Sequence, residues 1–338
     1  MIITNWLKTN KRPLIISICA FAMIVLTAYI VSMTLFKPPL EFEYQYSNEL
    51  GGVTLTKYTG EDLDVKIPTK IGKNLVVGIE GKYGRGLVSD QVRTVIIPDS
   101  VTFIGEYAFF GCDSLTSITI PKSVDTIGSN AFCNCRSLTS ITIPENVTSI
   151  GVAAFNSCCS LTSIIIPENV TNIGSGTFGG CRSLSSVFIP ESVMSIGDGA
   201  FASCSSLETV TIPNSIINIG DGAFNYCTSL KSITLSNSLT NIADYVFCKC
   251  ISLESVTIPV GVTKIGMESF YSCSSLTSVT IPDSVASIGY CAFLDCSSLE
   301  TITLSDRVTS IAHGAFTRCP LRSEQIKQRI FQINPEAL

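Results

Sequence analysis

The sequence has little of what most catalytic sites are built from. It contains a single histidine, His313, and charged residues make up only 14% of its 338 positions. No nucleophile pattern accompanies that histidine, so a catalytic triad, a zinc site or a general acid–base pair of the usual kinds has no basis. We therefore predict that the chain is not an enzyme and that it uses no cofactor and no metal.

Positive charge is also scarce. The chain has 22 Lys and Arg residues against 27 Asp and Glu residues. Lys8, Lys11 and Arg12 fall within the first 36 positions, which contain no acid, so the rest of the chain has 19 basic residues against 27 acidic ones. Binding to a phosphate backbone needs a basic face. Nucleic acid is therefore not expected as a partner.

Charge is absent altogether from Pro13 to Phe36. As a helix this run is long enough to cross a hydrocarbon core of ~30 Å. The basic residues that precede it place the N-terminus in the cytoplasm under the positive-inside rule. We predict a cytoplasmic tail at 1–12 and a transmembrane signal anchor at 13–36, with the rest of the chain on the outer side of the cell membrane.

A cleavable signal peptide is the alternative for this segment. Its apolar region usually has only ~7–15 residues and is followed by a small-x-small site. The run observed here is longer and ends in Met33–Phe36, without such a site. Both alternatives export the remainder of the chain.

What the sequence does have is a strict internal period. Ten phenylalanines recur every 23 residues, and ten cysteines, from Cys112 to Cys319, follow them three positions later. A fixed period of this size indicates a solenoid, whose repeats bury their apolar faces only against their neighbours. No insertion interrupts the period, so no long loop is available to carry an active site. The phenylalanines are Phe109, Phe132, Phe155, Phe178, Phe201, Phe224, Phe247, Phe270, Phe293 and Phe316.

Residues 115–137 can represent the repeat. Leu115–Pro121 alternates Ile with Thr, as a short strand does, and it ends at a proline that cannot donate to a central strand ladder. A second extended segment follows and directs Val124 and Ile127 into the core. The sequence thus predicts two short strands in each repeat.

A compact turn closes each repeat, and we predict that it is helical. It begins at Gly128 and directs Ala131, Phe132 and Cys135 into the core. Ala243 and Ala312 replace this glycine in two repeats. Alanine is poorly tolerated at a left-handed backbone position, so we interpret the glycine as a requirement for small size.

Two caps are predicted around the ten repeats, which span 92–321. Residues 37–91 comprise a linker, a β-hairpin formed by two alternating runs around a Gly-containing turn, and a degenerate repeat. At the other end, Ser323 is a good helix N-cap, and Ile326, Ile330 and Ile333 fall on one face, which predicts a capping helix within 322–338. Caps cover the open apolar ends of a solenoid.

The consensus LxxIxIPxxVxxIGxxAFxxC resembles the BspA-type leucine-rich repeat family of surface proteins. In one unit the match is carried by Leu115, Ile118, Ile120, Pro121, Val124, Ile127, Gly128, Ala131, Phe132 and Cys135. The resemblance implies a curved leucine-rich-repeat solenoid. Together with the period and the uncharged run, it gives the predicted fold class: an α/β repeat protein, a β-rich solenoid of ten 23-residue repeats that follows an N-terminal transmembrane helix. It also implies adhesion to host proteins or to other cells. It supplies no catalytic motif and no transferable ligand-binding residue.

Two positions of each first strand face away from the core. Ser or Thr occupies the first of them in all ten repeats, and Thr occupies the second in seven. Ile165 and Phe188 replace that Thr in adjacent repeats, which predicts two exposed apolar side chains lying next to each other. The candidate partner-binding residues are Ile165, Phe188, Ser163, Ser186, Glu168, Glu191, Thr142 and Thr211.

The pattern predicts an extracellular protein or glycan as the partner of this face. The alternative is that Ser and Thr simply suit an exposed sheet and that isolated exposed apolar residues are commonplace. In that case the protein is a structural surface spacer or lattice element without a specific ligand. The two functions differ in surface variation, since a binding protein breaks its repeat locally on one face and a spacer does not.

An acidic row and a cysteine row also follow the period. Glu145, Glu168 and Glu191 stand at one position of three successive repeats, either as a solvated edge or as a site for calcium or a basic partner. The stacked cysteines have their Cβ atoms near the ~4.8 Å strand spacing. A disulfide requires ~3.5–4.5 Å. Buried free thiols are therefore predicted.

Overall fold

The fold consists of short strands that stack in parallel from one repeat to the next. This computed structural model describes residues 41–47 and 49–338. The N-terminal strands are β1 (Phe42–Ser47), β2 (Gly52–Tyr58), β3 (Asp64–Lys66), β4 (Lys70–Ile71) and β5 (Asn74–Ile79). The next strands are β6 (Thr94–Ile96), β7 (Phe103–Ile104), β8 (Ser117–Thr119), β9 (Thr126–Ile127), β10 (Ser149–Ile150), β11 (Ser163–Ile165), β12 (Asn172–Ile173), β13 (Ser186–Phe188), β14 (Ser195–Ile196) and β15 (Thr209–Thr211). The last are β16 (Asn218–Ile219), β17 (Ser232–Thr234), β18 (Asn241–Ile242), β19 (Ser255–Val256), β20 (Lys264–Ile265), β21 (Ser278–Thr280), β22 (Ser287–Ile288), β23 (Thr301–Thr303) and β24 (Ser310–Ile311).

The strands form two ladders, as the repeat predicts. The first ladder contains the strands that precede the proline position, and β3, β6 and β8 pair in parallel with Val65, Val95 and Ile118 in register. The second ladder contains the two-residue strands, and β7, β9 and β10 pair in the same way through Ile104, Ile127 and Ile150. From β6 onward, the pairings join identical repeat positions, so equivalent side chains stack.

The phenylalanines form one continuous column through the core. All ten are at most 1% exposed, and neighbouring rings stack at centroid distances from 5.0 to 5.9 Å. The interplanar angles run from 2° to 30°. Each ring except the two terminal ones, Phe109 and Phe316, is thus enclosed by the rings of the repeats before and after it, and we call this set the phenylalanine column.

The turn that closes each repeat is not helical, so that prediction is wrong. Within it Ala131 N–H donates to Gly128 O at 3.3 Å and Cys133 N–H donates to Asn130 O at 3.1 Å. Each of these bonds closes a four-residue turn. In the turn Gly128–Ala131 the third residue, Asn130, has φ 56°. A positive φ there is typical of a type II turn and interrupts a right-handed helix. Asn134, with φ 63°, is the third residue of a further turn in which Cys135 N–H donates to Phe132 O at 3.1 Å.

These left-handed positions recur in every repeat, and fourteen of them are not glycine. An L-residue pays about 1–2 kcal/mol in that conformation. The compensation is a third set of bonds between repeats: Asn130, Phe132 and Asn134 donate their N–H groups to carbonyls one repeat later, at 2.9, 2.7 and 2.8 Å. Three hydrogen bonds per interface, at about 0.5–1.5 kcal/mol each, offset the strain. The fold is therefore a β-solenoid without the predicted helical side.

The glycine that opens the turn is a close-approach position. Gly128 does not have a positive φ, and a Cβ built on it would lie 2.6 Å from the Gly105 carbonyl carbon of the preceding repeat. The requirement is small size, as the alanines of two repeats indicate. Those same repeats carry serine in place of proline, and the buried Ser236 hydroxyl donates to Ile216 O at 2.6 Å.

The N-terminal strands add one turn before the ten repeats. β3 pairs with β6 of the first ladder and β5 with β7 of the second, so the solenoid has about eleven turns. β2 pairs with β5 in parallel, and β1 neighbours β2. These two strands extend the second ladder at its N-terminal end.

At the C-terminal end the chain folds over the last repeat. Helix α1 (Glu324–Ile333) begins after Ser323, whose hydroxyl accepts the Ile326 N–H at 3.3 Å. A single 3₁₀ turn, Pro335–Ala337, follows it. Gly314 N–H donates to Glu336 O and Phe316 N–H to Ala337 O, both at 2.7 Å. This turn therefore occupies the place of the next repeat in the third set of bonds.

Membrane insertion was predicted for a part of the chain outside the described residues. The predicted tail at 1–12 and anchor at 13–36 both precede residue 41. Within the described residues, no helix is both long and apolar enough to span a bilayer.

Candidate functional site

The structure places Ile165 and Phe188 directly opposite each other. β11 and β13 pair in parallel with Ser163 against Ser186 and Ile165 against Phe188. The side chains of Ile165 and Phe188 are 69% and 57% exposed, whereas Ile164 between the two outward positions is buried. Strand alternation sends one residue inward and its neighbours outward. The pair is thus a small apolar patch on a sheet face whose other exposed side chains are mostly Ser and Thr.

The first ladder is interrupted on both sides of this pair. β11 and β13 form a two-stranded sheet of their own, and residues 140–142 do not form a strand. Thr142 remains exposed on that preceding repeat, and Thr211 on the following one pairs with Thr234 in β17. The exposed Ser163, Ser186, Thr142 and Thr211 therefore surround the pair with hydroxyl groups.

The predicted acidic row is exposed to solvent. Glu145, Glu168 and Glu191 are exposed, and no Lys or Arg of the described chain lies within 4.0 Å of their carboxylates. The side chain of Asn169, next to Glu168, donates to Glu145 O at 2.7 Å. Within the described residues no group of three or more His, Cys, Asp or Glu is placed to hold a metal ion.

Sequence reasoning missed a second exposed apolar pair. Met194 and Ile217 are 52% and 55% exposed, and they follow one another in the stack because Ile217 N–H donates to Met194 O at 3.0 Å. They precede the second-ladder strands β14 and β16. The signal was present, since threonine occupies this position in six other repeats: Thr102, Thr148, Thr171, Thr240, Thr263 and Thr309.

The two pairs belong to the same short part of the solenoid. Phe188 and Met194 lie in one repeat, Ile165 in the repeat before it and Ile217 in the repeat after it. We call these four residues the apolar cluster. Glu191 stands between Phe188 and Met194 in the sequence, so an exposed carboxylate accompanies the apolar side chains. Ile96, the remaining exception to threonine in the first ladder, is 54% exposed and lies in the first repeat, away from this cluster.

The cysteine row is structural. The fourteen cysteines of the described chain are free, and twelve of them are buried. In nine successive repeats the ladder thiol donates to the carbonyl of the phenylalanine in the preceding repeat, at 3.0 to 3.2 Å. Burial raises the pKa of Cys181 and of Cys227 to about 12. These thiols stay protonated at neutral pH, so they act as hydrogen-bond donors and not as nucleophiles.

His313 belongs to the C-terminal end of the array. Its Nδ1 lies 3.2 Å from Glu336 Oε2, and its ring stacks on Tyr290 at a centroid distance of 5.8 Å. The histidine therefore connects the last repeat to the 3₁₀ turn.

Comparison with known families gives one clear match. Residues 88–204, 148–277 and 263–338 match the profile of the BspA type leucine-rich repeat region, in six copies. These ranges overlap and together cover most of the chain. Comparison with curated proteins finds no significant match.

Two solved structures share the fold with TM-scores above 0.5, and a third is similar in sequence. A leucine-rich repeat protein from Eubacterium ventriosum is 20% identical with a TM-score of 0.51, over 84% of this chain and 94% of that one. The pneumococcal vaccine antigen PcpA is 21% identical with a TM-score of 0.53, over 83% of this chain and 73% of that one. A leucine-rich cell surface protein from Faecalibacterium prausnitzii is 28% identical over 78% of this chain and 93% of that one, with a TM-score of 0.44.

Proposed function

Because the chain belongs to the BspA-type leucine-rich repeat family, we propose that it is a surface protein that adheres to a partner protein through the face of its solenoid. The observation that carries the proposal is the apolar cluster. Ile165 and Phe188 interrupt one threonine row and Met194 and Ile217 interrupt another, within the same three repeats. A repeat that serves only as a spacer has no reason to lose the threonine of two rows within the same three repeats.

The cluster has the composition of an interface centre. Such centres are apolar, often aromatic, and have a polar rim. Here the rim consists of the exposed Ser163, Ser186, Thr142 and Thr211. Fully burying a Phe side chain is worth about 1.5–3 kcal/mol. Phe188 is 57% exposed, so a partner that covers it gains roughly half of that.

Charge supports a protein partner with a basic rim. Glu168 and Glu191 adjoin the apolar cluster, and no cation of the described chain neutralises them. Rim charges of this kind steer association and make it sensitive to salt. A Lys- or Arg-bearing surface would complement them.

The proposal includes export and anchoring by the N-terminal segment. Pro13–Phe36 is uncharged and follows three basic residues, which is the pattern of a signal anchor with a cytoplasmic N-terminus. The repeats then stand outside the membrane, where they meet extracellular proteins or glycans. In this proposal the protein has no catalytic activity.

Restoring the repeat consensus tests the binding site. The double variant Ile165→Thr/Phe188→Thr places the residue of seven other repeats at both positions, so folding is expected to stay intact. Its affinity for immobilised extracellular-matrix proteins should fall at least tenfold relative to the unchanged chain, as expected for the loss of a hot spot. The matched control is Ile96→Thr, the same kind of change at a similarly exposed position of the first ladder outside the cluster.

The outcomes separate the two functions. If the double variant folds and binds at full strength, the contact lies elsewhere on the solenoid. If the unchanged chain adheres to no protein or glycan surface, the alternative of a structural spacer is favoured. The unbroken phenylalanine column, which makes every repeat interface alike, is the observation that suits that alternative.

A further inference from the structure

A second candidate site lies at the N-terminal end of the solenoid, away from the apolar cluster. It is a cavity of about 580 Å³, within the range of about 300–1,000 Å³ that small-molecule sites occupy. Four parts of the chain meet there: Glu43 of β1, strand β2, the segment from a tight hairpin at 81–86 to Asp90, and the turn of the first repeat at Phe110. The chain between β5 and β6 departs from the repeat, and this hairpin is part of that departure.

The hairpin is held in one conformation by its own bonds and by the first repeat. Lys82 N–H donates to Arg85 O at 2.9 Å, and Arg85 N–H donates to Lys82 O at 2.7 Å. Gly81 N–H donates to Glu106 O at 2.9 Å, and Gly86 N–H to Phe110 O at 3.1 Å. The hairpin is thus pinned at both ends.

Three glycines make this conformation possible. Gly84 has φ 70° at the tip of the hairpin. A Cβ on Gly81 would overlap the Tyr107 carbonyl oxygen, and one on Gly86 would lie 2.8 Å from the Phe110 carbonyl oxygen. A chain that only had to connect two strands would not need glycine at each of these positions. The hairpin is built to sit close against the first repeat.

The hairpin carries two cations side by side. Lys82 and Arg85 are bridge partners in an antiparallel pair, so their side chains project from the same face, with Cβ atoms about 4.5–5.5 Å apart. Both line the cavity. No carboxylate of the described chain lies within 4.0 Å of either cation, whereas the nearby Lys57 is paired with Glu43 at 3.0 Å. Like charges held together repel each other, and an anion bound between them would relieve that repulsion.

The rest of the lining does not suit a bare inorganic anion. The cavity also contains the Asp90 carboxylate, the Thr56 and Ser89 hydroxyl groups, and the rings of Tyr58 and Phe110. A carboxylate accepts hydrogen bonds from hydroxyl groups, and aromatic rings pack on the C–H face of a sugar ring. Sulfate or phosphate would use the two cations and would leave the Asp90 carboxylate and the aromatic rings without a partner.

We infer that this cavity binds a sugar unit that carries a carboxylate, such as a uronic acid. The carboxylate lies between Lys82 and Arg85, with Arg85 able to bind it in bidentate fashion. Hydroxyl groups of the sugar donate to Asp90, and the ring packs against Phe110. The chain as a whole is acidic, so this local pair of cations selects the carboxylate by position and not by net charge.

The test is ligand-detected NMR on the full-length chain in detergent, with glucuronic acid and glucose as probes. These two sugars differ in the carboxylate. We expect glucuronic acid to bind at least tenfold more tightly than glucose. The double variant Lys82→Gln/Arg85→Gln should lose at least tenfold in affinity, and Arg85→Lys, which keeps the charge, should retain part of the binding. The matched control is Lys66→Gln/Lys70→Gln, which removes two cations from β3 and β4 of the same region and should leave affinity unchanged.

Several outcomes would overturn the inference. They are equal binding of glucose and glucuronic acid, no binding of glucuronic acid, and equal losses in the test and control variants. Sulfate that competes with glucuronic acid at equal concentration would identify a simple anion site instead. Lys82 and Arg85 are exposed, so their replacement should not unfold the chain, and circular dichroism checks this. Phe188→Thr should leave sugar binding unchanged, which separates this site from the proposed protein contact.

Discussion

Replacing Phe201 with alanine tests the phenylalanine column where its packing is most complete. Phe201 is 0% exposed, and its ring stacks on Phe178 at 5.4 Å and on Phe224 at 5.3 Å. Truncating a buried Phe to Ala costs about 3–5 kcal/mol through lost burial and the cavity that remains. Phe316 is equally buried, but within the described chain it stacks on one ring only, that of Phe293 at 5.2 Å. A stacked aromatic pair contributes about 0.5–1.5 kcal/mol.

We therefore expect Phe201→Ala to cost about 1 kcal/mol more than Phe316→Ala. Guanidinium unfolding of the full-length chain, followed by circular dichroism, measures the two losses. Phe188→Ala is the matched control, because that ring is 57% exposed and surface changes usually stay within ±0.5 kcal/mol. If Phe201→Ala and Phe316→Ala cost the same, the repeats do not support one another through the column and the reasoning fails.

Three further predictions concern the turn, the thiols and the topology. Gly128→Ala should destabilise the chain by about 1–3 kcal/mol, because its Cβ would meet backbone at 2.6 Å, whereas Gly174→Ala should be nearly neutral because its nearest neighbour would be 3.3 Å away. The folded pKa of Cys181 and Cys227 is raised to about 12 by burial, so their contribution to stability is fully present below the unfolded value of about 8.5. That contribution should fall by up to about 1.4 kcal/mol per pH unit and per thiol as the pH rises towards 12, which unfolding titrations at pH 7, 9 and 10.5 would measure. Protease added to intact cells should remove the repeats if the proposed signal anchor at Pro13–Phe36 exports them.

Each of these has a result that would contradict it. Equal losses in the two glycine variants would mean that the close approach of neighbouring turns does not limit side-chain size. Unchanged stability between pH 7 and 10.5 would mean that the ladder thiols are not buried donors, and a Cys181→Ala/Cys227→Ala variant with a shallower pH slope is the control. Repeats that stay protected from protease, or a mature chain that begins near residue 37, would refute the anchor.

The core could be predicted from the sequence because period and burial coincide. A phenylalanine at the same position of every repeat can be buried only by stacking on the phenylalanines of neighbouring repeats, which gives a column. The alternation of Ile and Thr before the proline defines which side of the strand is buried. The closing turn could not be predicted. Its left-handed positions hold residues such as Tyr226, Ala153 and Glu268, which give no local signal for a positive φ. Bonds between repeats impose that backbone, and the sequence does not display those bonds.

Only one of the two exposed apolar pairs of the candidate site could be predicted from the sequence. Ile165 and Phe188 lie on three-residue strands, where alternation alone decides that they face solvent. Met194 and Ile217 precede strands of only two residues, too short for alternation to assign a face, so their exposure required the structure. The cavity beside Lys82 and Arg85 was not predictable, because it is formed by contacts between the N-terminal strands and the first repeat and not by any periodic position.

Hydroxyl-radical footprinting during adhesion is the measurement that tests the proposed contact most directly. Phe188 and Phe331 are exposed to nearly the same extent, 57% and 58%, one within the apolar cluster and the other on α1. When the chain is attached to a partner surface, oxidation of Phe188 and Met194 should fall severalfold while oxidation of Phe331 stays the same. If Phe188 and Met194 remain as reactive as in the free protein, the partner binds elsewhere and the account of this face is wrong.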